Sequence, residues 1–344
     1  MRNTTFMSRL VLGLVVAGSF GAGSLAQAQA PDQVAVQLDY VVRGNHAMFF
    51  VAKEKGFYAQ NGIDVTAIRK GSGSNDALKL VANGNAQFGF SDLPTLMVAR
   101  TKNIPATALV AVNQKSPLAM LSIKSKKPLR TPQDLKGMNI GVHPSGSTYV
   151  FLKAFFAKNG LSFNDVTQST VAPPYENYLV LGRVDAVPGY IDAEVPELEN
   201  KTGGPGSLSI LQGSDFGLVN YGSGVFTSDK MIAEKPDLVQ RFTNAYMQAF
   251  KYVIENPTDA VNILVKMNPE YKGKEEMLFK QLDADIKYTF FSADSKTKGI
   301  GWISPAIWAE SFKSFKELET IDKAAVLSGG YDSRFVEKSQ ALRR

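Results

Sequence analysis

The chemistry available to this 344-residue chain is bounded by what it lacks: it has no cysteine and only two histidines, His46 and His143. A thiol nucleophile is excluded, and no G-x-S-x-G elbow presents a serine for acyl transfer. The histidines lie far apart, with no second ligand at the spacing a transition metal requires, which argues against a metal site. The remaining polar groups hydrogen-bond and stack. Asp92, Glu176, Asp192 and Glu194 are carboxylates that could transfer protons, or hold a cationic or N–H-bearing ligand. Around them fall Tyr40, Asn45 and His46, then Ser72, Gly73 and Ser91, then Ser145, Gly146, Ser147 and Thr148, and finally Tyr175, Tyr190 and Tyr221. Hydroxyls, flexible glycines and tyrosine rings suit recognition of a small molecule, and these are the candidate ligand-binding residues.

The elements that position them alternate strand and helix. Val34 to Leu38 reads as a strand, Ala47 to Lys55 as a helix stopped at Gly56, and Ile63 to Ile68 as a second strand. Ser74 to Asn83 reads as a helix and Ala86 to Phe90 as a third strand, followed by strands at Thr107 to Val112 and Leu118 to Ile123. Thr131-Pro132 starts another helix, after which the rhythm resumes: strand Asn139 to Val142, helix Ser147 to Asn159, and strands Val166 to Val171, Ala186 to Tyr190 and Leu208 to Leu211. This is the pattern of a mostly parallel, helix-covered sheet, an α/β fold. From Pro236 the reading is helical, over Pro236 to Glu255 and about 258–267, 273–287, 305–317 and 319–327. Having no strands, that region must pack on a unit already built, and the first unit is the expected host.

The candidate residues other than Tyr221 fall at or just beyond strand ends, where an open α/β sheet binds ligands. They occur in both units, so a cleft between two domains is expected. Gly71-Ser72-Gly73-Ser74 and Ser145 to Thr148 read either as ligand contacts or as helix caps. Gly71-x-Gly73 lacks the third glycine and spaced acid of a dinucleotide fingerprint. His46 reads equally as a ligand contact or as a satisfied structural residue.

Arg2 and Arg9 precede an apolar stretch from Leu10 to Phe20 and small residues ending in Ala26-Gln27-Ala28, so residues 1–28 read as a secretory signal peptide and Gln29 as the mature start. Removing those arginines takes the formal charge from +6 to +4. Lys124-Ser125-Lys126-Lys127 has no aromatic partner motif, so nucleic-acid binding is not expected. About 315 mature residues exceed what one core sustains, and two domains are expected: 33–114 with 226–335, and 115–225. The hinge would lie near 112–118 and 220–226, where Gly222 and Gly224 can absorb rotation.

Several runs resemble a known family. Asn45-His46, Phe50 to Tyr58, Asn61 to Val65, Leu80 to Gly89 and Asp134 to Val142 are similar to the periplasmic substrate-binding proteins of ABC importers, in the group that takes sulfonates, nitrate, taurine and thiamine-pyrimidine precursors. The resemblance spans about residues 33–335. It implies a type II two-domain periplasmic-binding-protein fold, a monomer, a periplasmic location, an inner-membrane permease as partner and no cofactor. Asn45-His46 resembles the N-T-N-H turn of the thiamine-pyrimidine branch, and Gly189 to Glu194 its G-Y-x-x-x-E run, which would make Glu194 the acceptor for an amino-heterocycle. A flavin-like heterocycle, or a sulfonate, nitrate or aromatic acid, remains open at this point, as does a sensory role. Pyrimidine synthases of the same fold carry a cysteine-rich iron-binding stretch, which a chain without cysteine cannot supply.

Overall fold

The computed structural model describes Met1 and residues 30–341. The predicted signal peptide therefore lies outside the described residues, apart from Met1. Residues 31–341 form one compact unit, built on two five-stranded sheets.

The first sheet grows from β1 (Asp32–Gln37), α1 (Ala47–Glu54), α2 (Phe57–Gln60), β2 (Ile63–Arg69) and α3 (Ser74–Ala82). β3 (Phe88–Asp92), α4 (Leu93–Arg100) and β4 (Ala106–Ala111) continue it. The chain then crosses to the second sheet with β5 (Leu118–Ile123), β6 (Asn139–Val142), α5 (Ser147–Lys158) and β7 (Thr167–Thr170). α6 (Glu176–Val180), β8 (Ala186–Tyr190), α7 (Glu194–Thr202) and β9 (Leu208–Gln212) complete that half. It returns through β10 (Ser223–Ser228), followed by α8 (Asp229–Glu234), α9 (Pro236–Glu255) and α10 (Pro257–Met267). The last helices are α11 (Glu275–Ala284), α12 (Ala293–Lys298), α13 (Pro305–Glu317) and α14 (Arg334–Ala341).

Strand order is β2-β1-β3-β10-β4 in one sheet and β7-β6-β8-β5-β9 in the other. Each sheet is parallel except for one antiparallel strand, β10 in the first and β5 in the second. These two strands are the ones that follow the crossings. We call each sheet with its helices a lobe. The crossings run side by side: Val112 and Asn113 donate backbone N–H groups to Ser223 O, Gly222 N–H to Asn113 O, and Ser116 N–H to Asn220 O.

The expected elements form with small shifts, and the departures have physical causes. β10 was not expected, because Ser-Gly-Val-Phe-Thr-Ser holds two large apolar residues, yet all six positions are buried by β3 and β4. Gly224 therefore sits inside a sheet, opposite Ser91 and Ala111, rather than in a free crossing. Thr131 caps only a 3-10 turn, Pro132–Leu135, since Gly137 turns left-handed at φ 75°. The helix expected over 319–327 does not form; Glu319 adopts φ 54° and ends α13, and Gly329 and Gly330 also have positive φ. The segment expected as one helix over 273–287 is α11 followed by a π turn, Asp285–Thr289.

The helical C-terminal region packs on the first lobe, as expected. α9 buries Leu238, Phe242, Ala245, Tyr246, Ala249 and Val253, and the Phe242 ring stacks on Phe88 of β3 with centroids 3.6 Å apart. Tyr58 stacks on Phe242 as well, with ring centroids 5.3 Å apart. Among the described residues, no helix is long and apolar enough to cross a membrane.

This column anchors α9 to the sheet, so Phe242→Ala should cost about 3 to 5 kcal/mol of stability in urea unfolding. A loss below about 1 kcal/mol would show that the column does not hold the helix.

Candidate functional site

The two lobes meet where the carboxyl ends of β1, β6 and β8 face one another. From the first lobe come Asp39, Tyr40, Arg43, Gly73 and Ser74, and from the second His143, Gly146, Ser147, Thr148, Tyr175 and Tyr190. The cavity they enclose is small, about 20 Å³, room for a water or two. Beyond Tyr40 and Arg43 lies a second cavity of about 150 Å³, reached by Glu176, Glu194, Glu197, Tyr271, Lys274 and Gln281. Arg43 and Tyr40 line both, and so form the partition between them.

Arg43 is buried and spans the cleft. Its guanidinium is ion-paired and hydrogen-bonded to Glu194 of the other lobe. Its Cζ lies 4.3 Å from the centre of the Tyr40 ring and 5.4 Å from that of Tyr190, a cation between aromatic faces. Glu194 also accepts from Tyr175 Oη at 3.2 Å and from the Tyr190 backbone N–H at 2.6 Å. Burial raises the Glu194 carboxyl above its usual range, opposed by the Arg43 charge and the Tyr190 N–H. Both partners of this pair are therefore satisfied only while the lobes are together.

His46 stands behind the cleft. Its Nδ1 accepts the Arg43 backbone N–H at 3.1 Å, so Nε2 carries the hydrogen and donates to Asp39 Oδ1 at 3.0 Å. His46 thus positions Asp39, which lines the cavity, instead of lining it itself. Asp39 was not among the sequence candidates, though the strand-end rule that selected Tyr40 also covers it.

Backbone contacts close the opposite rim. Gly73, at φ 154°, lets Ser145 approach so closely that a Cβ would stand 2.7 Å from its carbonyl oxygen; no side chain fits there. Asn75 N–H donates to Ser145 O at 3.2 Å, and His143 Nε2 lies 2.5 Å from Ser72 O. At the other end Gln281 of α11 accepts the Gly44 N–H at 3.1 Å and donates to Ala193 O at 2.9 Å, so one side chain joins both lobes.

The structure gathers Tyr40, Gly73, Gly146, Ser147, Thr148, Tyr175 and Tyr190 on the first cavity and Glu194 on the second. Ser147 Oγ and Tyr190 Oη are 2.6 Å apart. Ser72 and Ser145 lie at the closing rim through their carbonyls. Asn45 is buried in the turn before α1, and its Oδ1 has no hydrogen-bond partner among the described residues. Ser91 donates to Asp92 O, beneath the cleft. Tyr221 lies elsewhere, accepting the Ser304 N–H at 2.7 Å inside the core. Asp192 is buried at the lobe boundary against Asp285.

The site is rich in carboxyl groups. Burial, then the Glu194 charge, push Glu176 up to about 7. Burial likewise takes Asp92 up to about 7, although the Thr95 N–H and hydroxyl bond its Oδ2. Arg43 favours the ionised form of the Glu194, Glu176 and Asp192 carboxyls alike, and Lys274 also lines the second cavity. Carboxyl oxygens so placed can accept N–H groups, and those that are ionised oppose a further negative charge.

Two facing lobes, each with one antiparallel return strand and joined by paired crossings, are the fold of the periplasmic binding proteins. The alkanesulfonate-binding protein SsuA from Xanthomonas axonopodis pv. citri, bound to MOPS, superposes with a TM-score of 0.69 at 18% identity, over 89% of this chain and all of that one. Residues 43–260 match the family model described as NMT1/THI5 like, and the chain belongs to that family. The formylaminopyrimidine-binding protein of Halalkalibacterium halodurans is 25% identical over 88% of this chain and 93% of its own length. The riboflavin-binding protein RibY of Chloroflexus aurantiacus is 24% identical over 88% and 86%. A 4-amino-5-hydroxymethyl-2-methylpyrimidine phosphate synthase of Legionella pneumophila also matches, at 22% over 91% and 95%.

A double-mutant cycle on Arg43→Ala and Glu194→Ala tests the ion pair. Each single change should destabilise by about 3 to 5 kcal/mol, by stranding a buried charge, and the double variant by clearly less than their sum. Additive losses would show that the two groups do not pair in solution.

Proposed function

We infer that the protein is the solute-capturing component of an ABC importer, and that it closes around a small nitrogen heterocycle of thiamine-pyrimidine or flavin-like kind. It would work in the periplasm, after loss of residues 1–28, and deliver its ligand as a monomer to an inner-membrane permease. Residues 33–114 with 226–335 would form one domain and 115–225 the other, turning about the paired crossings.

The observation that carries this reading is the setting of Arg43. A flat, N–H-bearing cation lies against Tyr40 and Tyr190 with its protons on a buried carboxylate. An amino-heterocycle offers the same features: a planar face to stack and ring N–H groups for Glu194. Such a ligand would take the place of the guanidinium, and displacing Arg43 would merge the two cavities it separates. The names of the formylaminopyrimidine- and riboflavin-binding relatives agree with a heterocycle. A sulfonate is disfavoured by the carboxyl groups, whatever the likeness of fold.

Binding without catalysis is the favoured reading. The cleft groups are placed to hold and stack, and the chain has no cysteine with which to build the thiolate-rich iron site of the synthase branch.

Native mass spectrometry of protein taken from the periplasm, followed by denaturation, should release a heterocycle of about the mass of a substituted aminopyrimidine or a flavin. With that ligand, Glu194→Gln should weaken binding at least about tenfold, because a charged acceptor is lost. Tyr190→Ala should cost about 1 to 3 kcal/mol of affinity. A released sulfonate, or an affinity untouched by Glu194→Gln, would overturn the assignment.

A further inference from the structure

Asp192 and Asp285 form a buried carboxyl pair that lines neither cavity of the cleft. Asp192 follows β8 in the second lobe, and Asp285 opens the π turn after α11 on the first. Each is 1% exposed. Asp285 is held by neutral groups: Asn113 Nδ2 donates to its Oδ1 at 2.6 Å and Thr289 Oγ1 at 2.7 Å. Asn113 belongs to one crossing and also accepts the Ser223 N–H, at 3.3 Å, from the start of the returning strand. Neither oxygen of Asp192 has a hydrogen-bond partner among the described residues, and the carboxyl it faces is Asp285, near enough for the two to share a proton.

Two carboxylates cannot share a dry contact while both are ionised; one must carry a proton and donate it to the other. We propose that Asp192 and Asp285 form a proton-sharing latch across the lobe boundary, so that the protein takes up a proton as it closes and releases one as it opens. The groups facing the pair from every packed element are few. Arg43, from the turn before α1, lies close enough to favour ionisation of either carboxyl, Glu194 of α7 adds a like charge to Asp192, and Tyr246 of α9 lies beside Asp285. Arg43 is already committed to Glu194, so the pair is left one positive charge short, and a proton supplies it.

The sign follows from the geometry. The opposing carboxyl raises the affinity for a proton while the lobes are together, and separation removes that cause and returns Asp192 toward the ordinary carboxylate range. A group with a raised value in the closed form favours closure below that raised value and loses the effect as pH rises through it. Closure is therefore favoured by acid and weakened by base, by up to about tenfold per pH unit for one proton.

The test needs no ligand and rests on the two-lobe reading given above. Because the chain has no cysteine, one introduced cysteine in each lobe, at exposed Leu181 and Lys266, takes a pair of dyes for energy transfer. Transfer should fall as pH is raised from about 5 to about 8.5 in the parent protein. In Asp192→Asn, whose amide donates to Asp285 without a titrating proton, the closed fraction at the upper pH should stay several-fold higher and the slope should flatten. If Asp192→Asn fails to fold, Asp285→Asn offers the same donor from the other side with the same expected readout. A variant that opens in step with the parent overturns the latch and leaves lobe closure standing. Transfer that is flat with pH in the parent and the variant alike overturns the latch too; failure of the two-lobe reading shows separately, as transfer that Arg43→Ala, which breaks the cross-lobe ion pair, also leaves unchanged.

Discussion

The closed arrangement of this protein depends on one buried guanidinium. A charge taken out of water must be paired, because an isolated buried ion costs several kcal/mol even after relaxation. The Arg43 partner lies on the other lobe, so the free energy that satisfies the charge is inseparable from the free energy that brings the lobes together. Everything near Arg43 reinforces this. His46 grips its backbone N–H and aims Asp39. Tyr40 and Tyr190 cover its faces, and Tyr175 and the Tyr190 N–H hold the receiving carboxylate from behind.

α11 is the second element on which closure depends, although it contributes to neither sheet. It packs directly on the turn before α1: a Cβ on Gly44 would come within 2.6 Å of Leu282 N. That contact sets Gln281 between Gly44 and Ala193 and leads into the π turn that carries Asp285. Extra residues per turn are tolerated where they aim a side chain that a regular helix could not. Here the π turn brings Asp285 and Thr289 together onto Asn113 of a crossing. The helical C-terminal region is thus the part of the first lobe that reaches the boundary with the second.

How much of this could be read from the sequence follows from the kind of signal each part leaves. Strand and helix alternation is a period, and periods survive in single sequences, so α1, α3, α5 and α9 emerged with ends near Gly56, Ser74, Asn159 and Asn256. α4 left no period, because Leu93–Arg100 buries seven of its eight residues and so has no polar face. β10 left too few apolar side chains, its burial being set by neighbours far away in sequence. Residues around 321–327 have helical spacing without a helix, since the left-handed Glu319 turns the chain away. The strand-end rule located Tyr40, Gly73, Gly146, Tyr175 and Glu194 because topology alone puts those positions at the cleft. It could not separate Ser91, which sits by the same ends with its hydroxyl on the Asp92 carbonyl. Nor could it anticipate that Arg43 and Glu194 pair with each other, or that Asp192 meets Asp285, since both contacts join segments from different lobes.

Selectivity in such a cleft comes from what a wrong guest leaves undone. Glu194 and Glu176 are buried, and Glu176 Oε2 already lacks a partner among the described residues. A guest that displaces Arg43 must therefore replace its protons as well as its volume. On the proposed reading a planar N–H donor would do both, and would stack where the guanidinium stacks. An apolar ring of the same size fills the space but strands Glu194 without a donor, a penalty of about 1 to 3 kcal/mol or more for a charged group. An anion adds repulsion to that loss. On the proposed reading the same carboxyl groups would be the source of discrimination, because a guest that displaces Arg43 would leave Glu194 satisfied only by neutralising it in the guanidinium's place.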